Sequence, residues 1–427
     1  MKYCSTRDSL KTVSLSQALR IGLASDGGLF VPQQFPQFSW DDFSNLSTIA
    51  DTAYQLLQPF AKDDVLTDHL KNICQQAFTF SIPTVRITDS LSILEVFHGP
   101  TAAFKDVGAR FLAGCFSALN TEQEKPLTIM VATSGDTGSA VASAFYQKPN
   151  VEVIILYPKN RVSQRQEKQL TCWDENIQSF TVKGTFDECQ KMAKAAFSDP
   201  WWSKNIRLSS ANSINIGRLL PQMVYYVWAC IQNWQPGNPY LHFIVPSGNL
   251  GNVTACLWAQ KCGFPIGQIT LATNTNDVVC QFLQTGKVQP QTSVPTLANA
   301  MDVGNPSNLE RIQHLFHQDV DAIKKVISSH SVDDRSISQT IQTTYNTHGE
   351  IICPHTACGV QVWKKTQAEA IVVGTAHPAK FDTVVEPLIK STVPIPNNLR
   401  KLLSLPNKTI EIESKLSSLQ KNLKCNR

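Results

Sequence analysis

The chain has 427 residues, of which 42% are hydrophobic and 17% charged, a composition typical of globular proteins with two or three domains. The net charge is only +4, and the basic residues are scattered apart from a lysine-rich C-terminal tail, which argues against a nucleic-acid-binding protein. The N-terminus lacks the apolar segment of a secretory signal, and no apolar run approaches the ~18 residues of a membrane helix, so we expect a cytoplasmic protein.

Twelve cysteines are spread along the chain without a repeat. In a chain of this length they do not resemble a disulfide framework, so we predict buried free thiols in a reducing cytoplasm. Cys353 and Cys358 could be read as a metal clip, but no second pair of ligands with zinc spacing accompanies them. Pro354 in the first turn of a helix explains this segment better, and we predict no metal site.

Residues 1–80 are predicted to form a mostly helical N-terminal region. Residues 14–23 have the apolar spacing of a helix, and residues 40–61 have the pattern of several short helices. The Asp-Gly-Gly sequence at residues 26–28 between them is explained by turn chemistry alone. Short strand-like runs at 82–97 then lead to the first motif.

The first motif, HGPTAAFKDVGAR at residues 98–110, contains Lys105 directly after an apolar run. Gly99 and Pro100 signal a turn before a helix start, so Lys105 should lie beside apolar surface. Burial disfavours the ammonium, which should lower the pKa of Lys105 and make its amine a nucleophile toward a carbonyl cofactor. Taken alone, the segment favours an ordinary lysine near a helix start, because most lysines are solvated charges.

From residue 127 onward, apolar strand patterns alternate with helical patterns, which is typical of a parallel sheet with helices on both faces. The predicted strands are 127–132, 151–157, 180–182, 206–209, 241–245, 268–273 and 370–374. The predicted helices are 139–146, 162–170, 186–197, 214–234, 252–262, 277–285, 309–330, 334–347 and 354–366, and residues 382–427 are expected to be helical.

Residues 241–260, LHFIVPSGNLGNVTACLWAQ, predict a buried strand, a glycine-rich turn and the start of a helix. This geometry directs backbone N–H groups and the positive end of a helix dipole toward a phosphate. The turn lacks the Lys-Ser/Thr of a nucleotide P-loop, and an ordinary tight turn between strand and helix is the alternative. The candidate binding residues of this turn are Gly248, Asn249, Leu250, Gly251 and Asn252.

A later apolar strand lies in IVVGTAHPAKF at residues 371–381 and ends at Gly374. A helix is predicted to follow Pro378. Thr375 would therefore lie at the carboxyl end of a strand, where open α/β sheets bind their ligands.

Four segments in this order, HGPTAAFKD, TSGDTGSA (residues 133–140), SGNLGN and GTAHPAKF, resemble the threonine synthase family. The resemblance extends from DGGLFVP near the N-terminus to HPAKF, and the long N-terminal region resembles the subclass found in yeast and many bacteria. It implies the tryptophan-synthase-β-like fold of fold-type-II pyridoxal-phosphate enzymes, an α/β fold with two parallel-sheet domains and a helical N-terminal region. The implied division is an N-terminal helical domain at 1–90, a smaller α/β domain with the cofactor lysine at 91–225, and a larger cofactor-binding α/β domain with C-terminal helices at 226–427.

The resemblance also implies roles at the cofactor. Lys105 matches the lysine that forms a Schiff base with pyridoxal phosphate and then moves protons at the substrate's α and β carbons. The glycine turn matches the loop that holds the cofactor phosphate, and Thr375 matches the residue that faces the pyridine nitrogen. Asp136 takes the position near the cofactor's 3′-oxygen, where shorter relatives have asparagine. Because a carboxylate would repel that oxygen, either one of the two groups is protonated or Asp136 points elsewhere.

A substrate phosphate needs donors of its own, and NSINIGR at residues 212–218 is the best candidate. This segment follows a strand and opens a helix, so that a hydroxyl, amides and the helix dipole can converge. Ser213, Asn215 and Arg218, together with Thr137, match the family's substrate-phosphate residues. A salt bridge on the helix surface is the alternative explanation for Arg218.

The activity implied by the resemblance is that of a pyridoxal-phosphate-dependent lyase that converts O-phospho-L-homoserine and water to L-threonine and phosphate, the last step of threonine biosynthesis. One alternative is another fold-type-II lyase, such as a serine/threonine dehydratase or a phospholyase, although a dehydratase needs no second phosphate site. The other is a non-catalytic homologue that binds pyridoxal phosphate or a phosphorylated metabolite, and the presence of Lys105 argues against it. We expect a small-molecule substrate, no nucleic-acid or membrane partner, and a monomer or homodimer.

One further basic cluster also follows a strand, at Lys159, Arg161 and Arg165. A solvated helix face explains these charges better than a bound ligand, so we assign no ligand to them.

Overall fold

The structure is a computed structural model that describes residues 1–120, 125–133 and 135–423. Its strands are β1 (Tyr3–Ser5), β2 (Thr12–Val13), β3 (Phe30–Pro32), β4 (Thr84–Arg86), β5 (Leu91–Glu95), β6 (Leu127–Ala132), β7 (Val151–Pro158), β8 (Ile177–Lys183), β9 (Arg207–Ser209), β10 (Leu241–Pro246), β11 (Ile266–Thr273), β12 (Ile327–Ser331), β13 (Ala370–Gly374) and β14 (Ile410–Glu413).

The α-helices are α1 (Leu15–Ile21), α2 (Ile49–Leu57), α3 (Leu70–Ala77), α4 (Lys105–Leu119), α5 (Asp136–Phe145), α6 (Gln164–Thr171), α7 (Phe186–Ser198), α8 (Pro200–Asn205), α9 (Ile216–Leu219), α10 (Met223–Asn233), α11 (Gly251–Lys261), α12 (Val278–Thr285), α13 (Leu309–Leu315), α14 (Val320–Val326), α15 (Asp334–His348), α16 (Pro354–Thr366), α17 (Asp382–Ile389), α18 (Asn397–Leu403) and α19 (Leu416–Asn422). Short 3₁₀ helices occur at Trp40–Asp42, Gln58–Ala61, Thr67–His69, Leu220–Gln222, Asn299–Met301 and Pro378–Phe381.

Two parallel sheets organise the molecule, which confirms the predicted α/β class. The larger sheet has the strand order β12-β11-β10-β13-β5-β4, and its strands run parallel except for β4, which pairs antiparallel with β5. The smaller sheet, β14-β8-β7-β6-β9, is parallel throughout. Strands β6 and β13 are buried along their whole length, as expected for parallel strands covered by helices on both faces.

The order of the strands brings the candidate motifs together at the carboxyl edge of the larger sheet. Strands β10, β13 and β5 are neighbours, with Phe243 opposite Ile371 and Gly374 opposite Glu95. The segments that leave these strands are the glycine-rich turn, the segment that begins at Thr375, and the segment that leads to Lys105. Parallel strands end at the same edge, so these three segments meet there.

The smaller sheet contributes two more segments in the same way. Strands β6 and β9 are parallel neighbours, with Leu127 opposite Arg207. The chain leaves β6 toward α5 and leaves β9 toward α9, so the segments that carry Asp136 and Arg218 emerge side by side.

The N-terminal region is less helical than predicted, since β1, β2 and β3 form a small antiparallel sheet. Tyr3 lies opposite Val13 on one side and Pro32 on the other. These strands are only two or three residues long. Strands this short show no alternation of apolar and polar residues that a sequence could reveal, and their pairing depends on contacts between distant segments.

Three predicted helices at 214–234, 309–330 and 382–427 were wrong in extent. The first is interrupted by a 3₁₀ turn, because Pro221 lacks the N–H that a continuous helix needs. The second divides into α13, α14 and the edge strand β12, whose partly buried serine and histidine residues do not show an apolar strand pattern. The third contains strand β14, which pairs in parallel with β8.

Two strands pair across the predicted domain boundaries. Strand β5, within the predicted middle domain, belongs to the larger sheet with strands from beyond residue 226. Strand β14, within the predicted third domain, extends the smaller sheet. Each sheet is therefore assembled from segments that are distant in the chain, and the three-part division remains a prediction.

Every cysteine in the described ranges is a buried free thiol, as predicted. Cys353 is the N-terminal cap of α16 and Pro354 is its first residue, in agreement with the helix explanation for this segment. The described residues contain no group of His, Cys, Asp and Glu side chains able to hold a metal ion. Among them, no helix has the length and apolar character needed to cross a membrane.

Candidate active site

Lys105 is the first residue of α4 and is held beside the segment that follows β13. The N–H of Phe104 donates to the carbonyl oxygen of Thr375 at 2.9 Å, and Ala103 forms an isolated antiparallel bridge with Ala376. The backbone directly before the lysine is thus attached to the carboxyl edge of the larger sheet. This attachment places Lys105 next to Thr375, as the sequence predicts for two residues of one site.

The environment of Lys105 favours its neutral amine. Burial lowers the pKa of Lys105 to about 8, the Asp136 carboxylate opposes that shift, and the charges of Arg218 and Lys380 add to it. The side chain remains partly exposed, so a ligand can reach the amine. A lysine with these properties can attack a carbonyl carbon near neutral pH.

The glycine loop (residues 247–252) connects β10 to α11. Leu250 has a φ of +60° and is the N-terminal cap of α11, so the chain turns sharply and the helix begins at Gly251. The first N–H groups of a helix have no partner within it, which makes this end suitable for a phosphate. The side-chain Nδ2 of Asn252 is buried and has no partner in the part of the chain that the structure describes, so it is a further candidate donor for such a group.

The two glycines of the glycine loop have different surroundings. A Cβ on Gly248 would lie 2.6 Å from the Cα atom of Met301, so protein packing alone requires glycine there. A Cβ on Gly251 would meet its nearest protein atom, Nδ2 of Asn308, at 3.5 Å, which is an ordinary contact. Only a bound group could therefore require glycine at position 251.

Two consecutive tyrosines of α10 connect Lys105 to the glycine loop. The hydroxyl of Tyr225 donates to the carbonyl oxygen of Phe104, and the hydroxyl of Tyr226 donates to Oδ1 of Asn252 at 2.7 Å. Because these tyrosines are adjacent on one helix, the start of α4 and the start of α11 lie close together. An amine and the N-terminal end of a helix are thus held at one place, as a site for pyridoxal phosphate would require.

Asp136 is buried in the first turn of α5 and forms an ion pair with Lys380. Its Oδ1 lies 2.7 Å from Nζ of Lys380 and also accepts from Nε2 of Gln166 at 3.2 Å. Burial alone would raise the pKa of Asp136, but the charges of Lys380 and Lys105 hold it well below its usual value. Of the two predicted alternatives, the geometry favours an ionised carboxylate that points elsewhere, toward Lys380.

Lys380 is a site residue that the sequence analysis missed. It is fully buried, and its Nζ also donates to the carbonyl oxygen of Thr101 at 2.9 Å. The available signal was a lysine within the apolar Pro-Ala-Lys-Phe sequence after a strand, which is the same signal that identified Lys105.

His355 was missed as well. It is buried near the same charges, and its Nε2 accepts from the N–H of Ala300 at 3.1 Å. Burial lowers the pKa of His355 to about 4, with Asp136 opposing the shift and Lys105 and Lys380 adding to it. The ring is therefore neutral and serves as an acceptor.

Arg218 is buried rather than on a helix surface, so the alternative of a surface salt bridge does not hold. Only 2% of it is exposed, and Nη1 donates to the carbonyl oxygen of Ala211 at 2.5 Å. Among the residues that the structure describes, its Nε has no hydrogen-bond partner, so it is a candidate donor to a ligand. A Cβ on Gly108 would lie 2.7 Å from the carbonyl oxygen of Arg218, so the two helices touch. Gly108 lies three residues after Lys105, on the same face of α4.

The other predicted substrate-binding residues lie in different places. Asn215 is fully buried and caps α9, since its Oδ1 accepts from the N–H of Gly217 and its Nδ2 donates to Leu19 and Ser210 carbonyl oxygens. These bonds occupy its amide and leave it a structural role. Ser213 accepts from Nδ2 of Asn249 at 2.6 Å and thus lies at the glycine loop.

Thr137 is the second residue of α5, directly after Asp136, and is partly exposed. Its position is compatible with the predicted contact to a substrate beside Arg218.

The basic cluster after β7 makes structural contacts. Lys159 lies 2.5 Å from Glu411, a residue of β14. Arg165 lies 3.1 Å from Asp382 and donates to the carbonyl oxygen of Ala379. Lys159 is partly exposed as predicted, whereas Arg165 is mostly buried because it connects α6 to the start of α17.

These residues together fit a site for pyridoxal phosphate. The amine of Lys105 can bind the cofactor covalently, and the glycine loop offers a helix end and the unpaired Nδ2 of Asn252 to its phosphate. Thr375 lies at the carboxyl end of β13, beside the lysine segment. The buried donors of Asn252 and Arg218 lack partners among the described residues, and ligand oxygens would complete them.

Three family models match the chain. The model described as pyridoxal-phosphate dependent enzyme matches residues 92–375. The model of the threonine synthase N terminus matches residues 2–78, and the C-terminal threonine synthase model matches residues 356–422.

Individual proteins resemble the chain along nearly its whole length. Threonine synthase of Serratia marcescens is 39% identical over 99% of both chains, and that of Saccharomyces cerevisiae is 34% identical over 98% of this chain and 96% of its own. The crystal structure of threonine synthase from Escherichia coli has a TM-score of 0.90 at 38% identity, with 99% of each chain covered. The structure of threonine synthase from Brucella melitensis with bound pyridoxal phosphate has a TM-score of 0.92 at 31% identity, with 99% and 98% covered.

Proposed function

Because this chain belongs to the threonine synthase family, we propose that it converts O-phospho-L-homoserine and water to L-threonine and inorganic phosphate. It is a pyridoxal-phosphate-dependent lyase that acts on a small molecule. The observation that carries the proposed substrate is the buried Arg218, whose Nε has no partner among the described residues. Arg218 packs against Gly108, which lies one helical turn after Lys105. A second phosphate beside the cofactor would satisfy this donor and compensate the buried charge.

Pyridoxal phosphate, when bound, supplies an electron sink for negative charge that develops at the substrate's α and β carbons. Lys105 binds the cofactor and is then the base that takes protons first from Cα and then from Cβ. Its lowered pKa suits this task, because the amine must be neutral to accept a proton and charged to return one. The segment around Thr375 orients the lysine through the bond to the N–H of Phe104.

Arg218 binds the substrate phosphate and stabilises the negative charge that grows as the bond between Cγ and the phosphate oxygen breaks. A guanidinium suits a phosphate because it presents several N–H groups in one plane. Thr137 adds a hydroxyl from the first turn of α5. Water then adds its oxygen to Cβ, and protons return to Cα and Cγ to complete L-threonine.

Asp136 and Lys380 are two further charged residues near Lys105. Oδ1 of Asp136 is held by Lys380 and Gln166, so this oxygen is directed toward the ion pair and away from a bound ligand. Their ion pair leaves the positive charge of Arg218 for the substrate phosphate, while the cofactor phosphate has a separate site at the glycine loop.

Incubation of the purified protein with O-phospho-L-homoserine tests the proposal. Threonine and phosphate should appear in equal amounts and should depend on pyridoxal phosphate. Release of phosphate without threonine would instead indicate a phospholyase. Faster turnover of serine or threonine than of the phosphorylated substrate would indicate a dehydratase.

We further propose a cytoplasmic monomer or homodimer. The buried free thiols of the described residues support a reducing compartment. Sedimentation of the purified protein measures the oligomeric state directly.

A further inference from the structure

A closed ring of hydrogen bonds holds the glycine loop from the side opposite α11. Nη1 of Arg311 donates to Oδ1 of Asn308 at 2.7 Å, and Nδ2 of Asn308 donates to the carbonyl oxygen of Asn249 at 2.9 Å. Nδ2 of Asn249 donates to Oγ of Ser213 at 2.6 Å, and the carbonyl oxygen of Ser213 accepts from Nη1 of Arg311 at 3.3 Å. We call these four residues the loop ring.

Arg311 is the residue on which the loop ring depends. It is fully buried, and all five of its N–H groups are used within the protein. Besides its bonds within the loop ring, Nε and Nη2 donate to the carbonyl oxygen of Phe30 at 3.1 and 3.0 Å, and Nη2 donates to that of Ile214 at 2.7 Å. Because no N–H remains, Arg311 cannot bind a ligand directly and can act only through the residues that it holds.

The acceptors of Arg311 come from segments that are far apart in the chain. Phe30 lies in the N-terminal sheet, Ser213 and Ile214 lie between β9 and α9, and Asn308 precedes α13. A buried cation whose direct partners are all neutral reduces the stability of the folded protein. Burial accordingly lowers the pKa of Arg311 to about 9. A protein that retains such a group gains something from its geometry or its charge.

The glycine loop needs such support. Leu250 has a φ of +60°, a left-handed backbone conformation that residues other than glycine rarely adopt. A strained backbone persists only when its surroundings determine it. Asn249, the residue before Leu250, is held at three atoms. Its carbonyl oxygen and its Nδ2 make the bonds of the loop ring, and its Oδ1 accepts from the N–H of Ser307 at 2.6 Å. The loop ring is therefore what fixes the turn in front of α11.

We propose that Arg311 is a positioning residue for the cofactor phosphate. It keeps the N–H groups of the glycine loop aligned, through Asn308 and Asn249, and it places Ser213 beside them. This inference rests on the proposed function only for the identity of the anion. It adds to that function a requirement at a residue that touches neither cofactor nor substrate.

The test compares the affinity of two cofactor forms in Arg311→Lys. Lysine keeps the charge but has three N–H groups, so at least two of the five bonds are lost. Apoprotein should bind pyridoxal phosphate roughly ten- to a hundredfold more weakly than the wild type. Pyridoxal, which lacks the phosphate, should bind with unchanged affinity. A general loss of protein stability would not change the ratio of the two affinities.

Arg110→Lys is a matched control. Arg110 lies on α4, is partly buried and also donates to backbone carbonyl oxygens, among them Ala77 at 3.1 Å, but it lies outside the loop ring. It should lower the melting temperature without changing the ratio of affinities. Should Arg311→Lys fail to fold, Asn308→Ala tests the same ring without adding a charge beside the glycine loop. It removes the acceptor for Arg311 and the donor to Asn249, and it should lower the affinity for pyridoxal phosphate relative to that for pyridoxal.

The proposal is overturned if the ratio of affinities in Arg311→Lys or Asn308→Ala equals that of the wild type. Failure of the proposed function has a different signature. A wild type that binds pyridoxal phosphate but forms no threonine from O-phospho-L-homoserine would refute the substrate and leave the comparison of affinities intact.

Discussion

Lys105, Arg218 and Lys380 bring three positive charges to one buried region, with the Asp136 carboxylate among them. Cations buried together destabilise a protein unless anions compensate them. Asp136 compensates Lys380 by direct contact, so Lys105 and Arg218 remain for ligands. The predictions for single residues therefore concern these two side chains.

Lys105 should capture pyridoxal phosphate in a reaction that follows its own titration. The neutral amine reacts, and its fraction rises with pH through the pKa, which burial lowers from 10.5 to about 8. Covalent capture by the apoprotein should thus have a midpoint near pH 8. Reduction with borohydride followed by peptide mapping should place the cofactor on Lys105. A label on another lysine, or a midpoint near the ordinary value, would contradict the assignment.

Replacement of Arg218 should separate the phosphorylated substrate from the cofactor. Loss of a charge-assisted bond costs about 1.5–3 kcal/mol, so Arg218→Ala should lower kcat/KM for O-phospho-L-homoserine roughly 10- to 150-fold. The spectrum of the bound cofactor should not change, because its phosphate has a separate site at the glycine loop. Deamination of serine, which carries no phosphate, should fall far less.

Lys159→Ala is the control for Arg218→Ala, since that lysine forms a partly exposed ion pair with Glu411. It should leave both activities near their wild-type values. Equal losses of both activities in Arg218→Ala would show that Arg218 has only a structural role.

At the scale of elements, the junction of β10 and α11 combines two requirements in one short turn. Gly248 is needed because the backbone of Met301 lies against it. Gly251 lies in the first turn of α11, where the protein leaves space for a Cβ. Packing therefore accounts for Gly248, and we expect Gly251 to serve ligand binding.

Alanine at these two glycines should give opposite results. Gly248→Ala should lower the melting temperature of the apoprotein, because its Cβ meets backbone that cannot give way easily. Gly251→Ala should leave that temperature unchanged or slightly raised, since alanine reduces the entropy of the unfolded chain by about 0.4–1 kcal/mol. Its affinity for pyridoxal phosphate should nevertheless fall. Full affinity in Gly251→Ala would show that this turn does not hold the phosphate.

At the scale of the whole molecule, the site lies where the two sheets meet. Asp136 follows β6 of the smaller sheet, and Lys380 follows β13 of the larger one. Their ion pair therefore joins the two sheets directly beside Lys105. Nearby, Arg165 of α6 donates to the carbonyl oxygen of Ala379 and strengthens the same junction.

Removal of one partner of this ion pair should destabilise the molecule more than removal of both. Lys380→Met leaves the buried Asp136 carboxylate without its main partner, which should reduce the free energy of unfolding by about 3–5 kcal/mol. The double variant Lys380→Met/Asp136→Asn should recover part of that loss. Urea unfolding of the apoproteins measures both, and equal losses in the two variants would contradict the prediction.

The same pair gives a dependence on pH with a definite sign. The pKa of Asp136 is lower in the folded protein than its ordinary value of 3.8, so its stabilisation is complete above that value and is lost as the pH falls below it. The wild type should therefore lose more free energy of unfolding than the double variant when the pH is lowered through this range.

The sequence by itself determined the local chemistry and the order of the elements. Strand and helix patterns after residue 127 predicted the parallel sheets, and the apolar surroundings of Lys105 predicted the direction of its pKa shift. The glycine loop was predicted between its strand and its helix. Each of these features depends on neighbours within a few residues, which is why a single sequence reveals them.

Only the tertiary structure decided which side chains face one another. Asn215 caps α9, and Asp136 contacts Lys380. Arg311 holds the glycine loop, and of its partners in the loop ring only Asn308 is near it in the chain. Strand β14 likewise has its partner more than two hundred residues away. Such contacts depend on how distant segments pack, and hydrophobic periodicity reports which face of an element is buried but not what it is buried against.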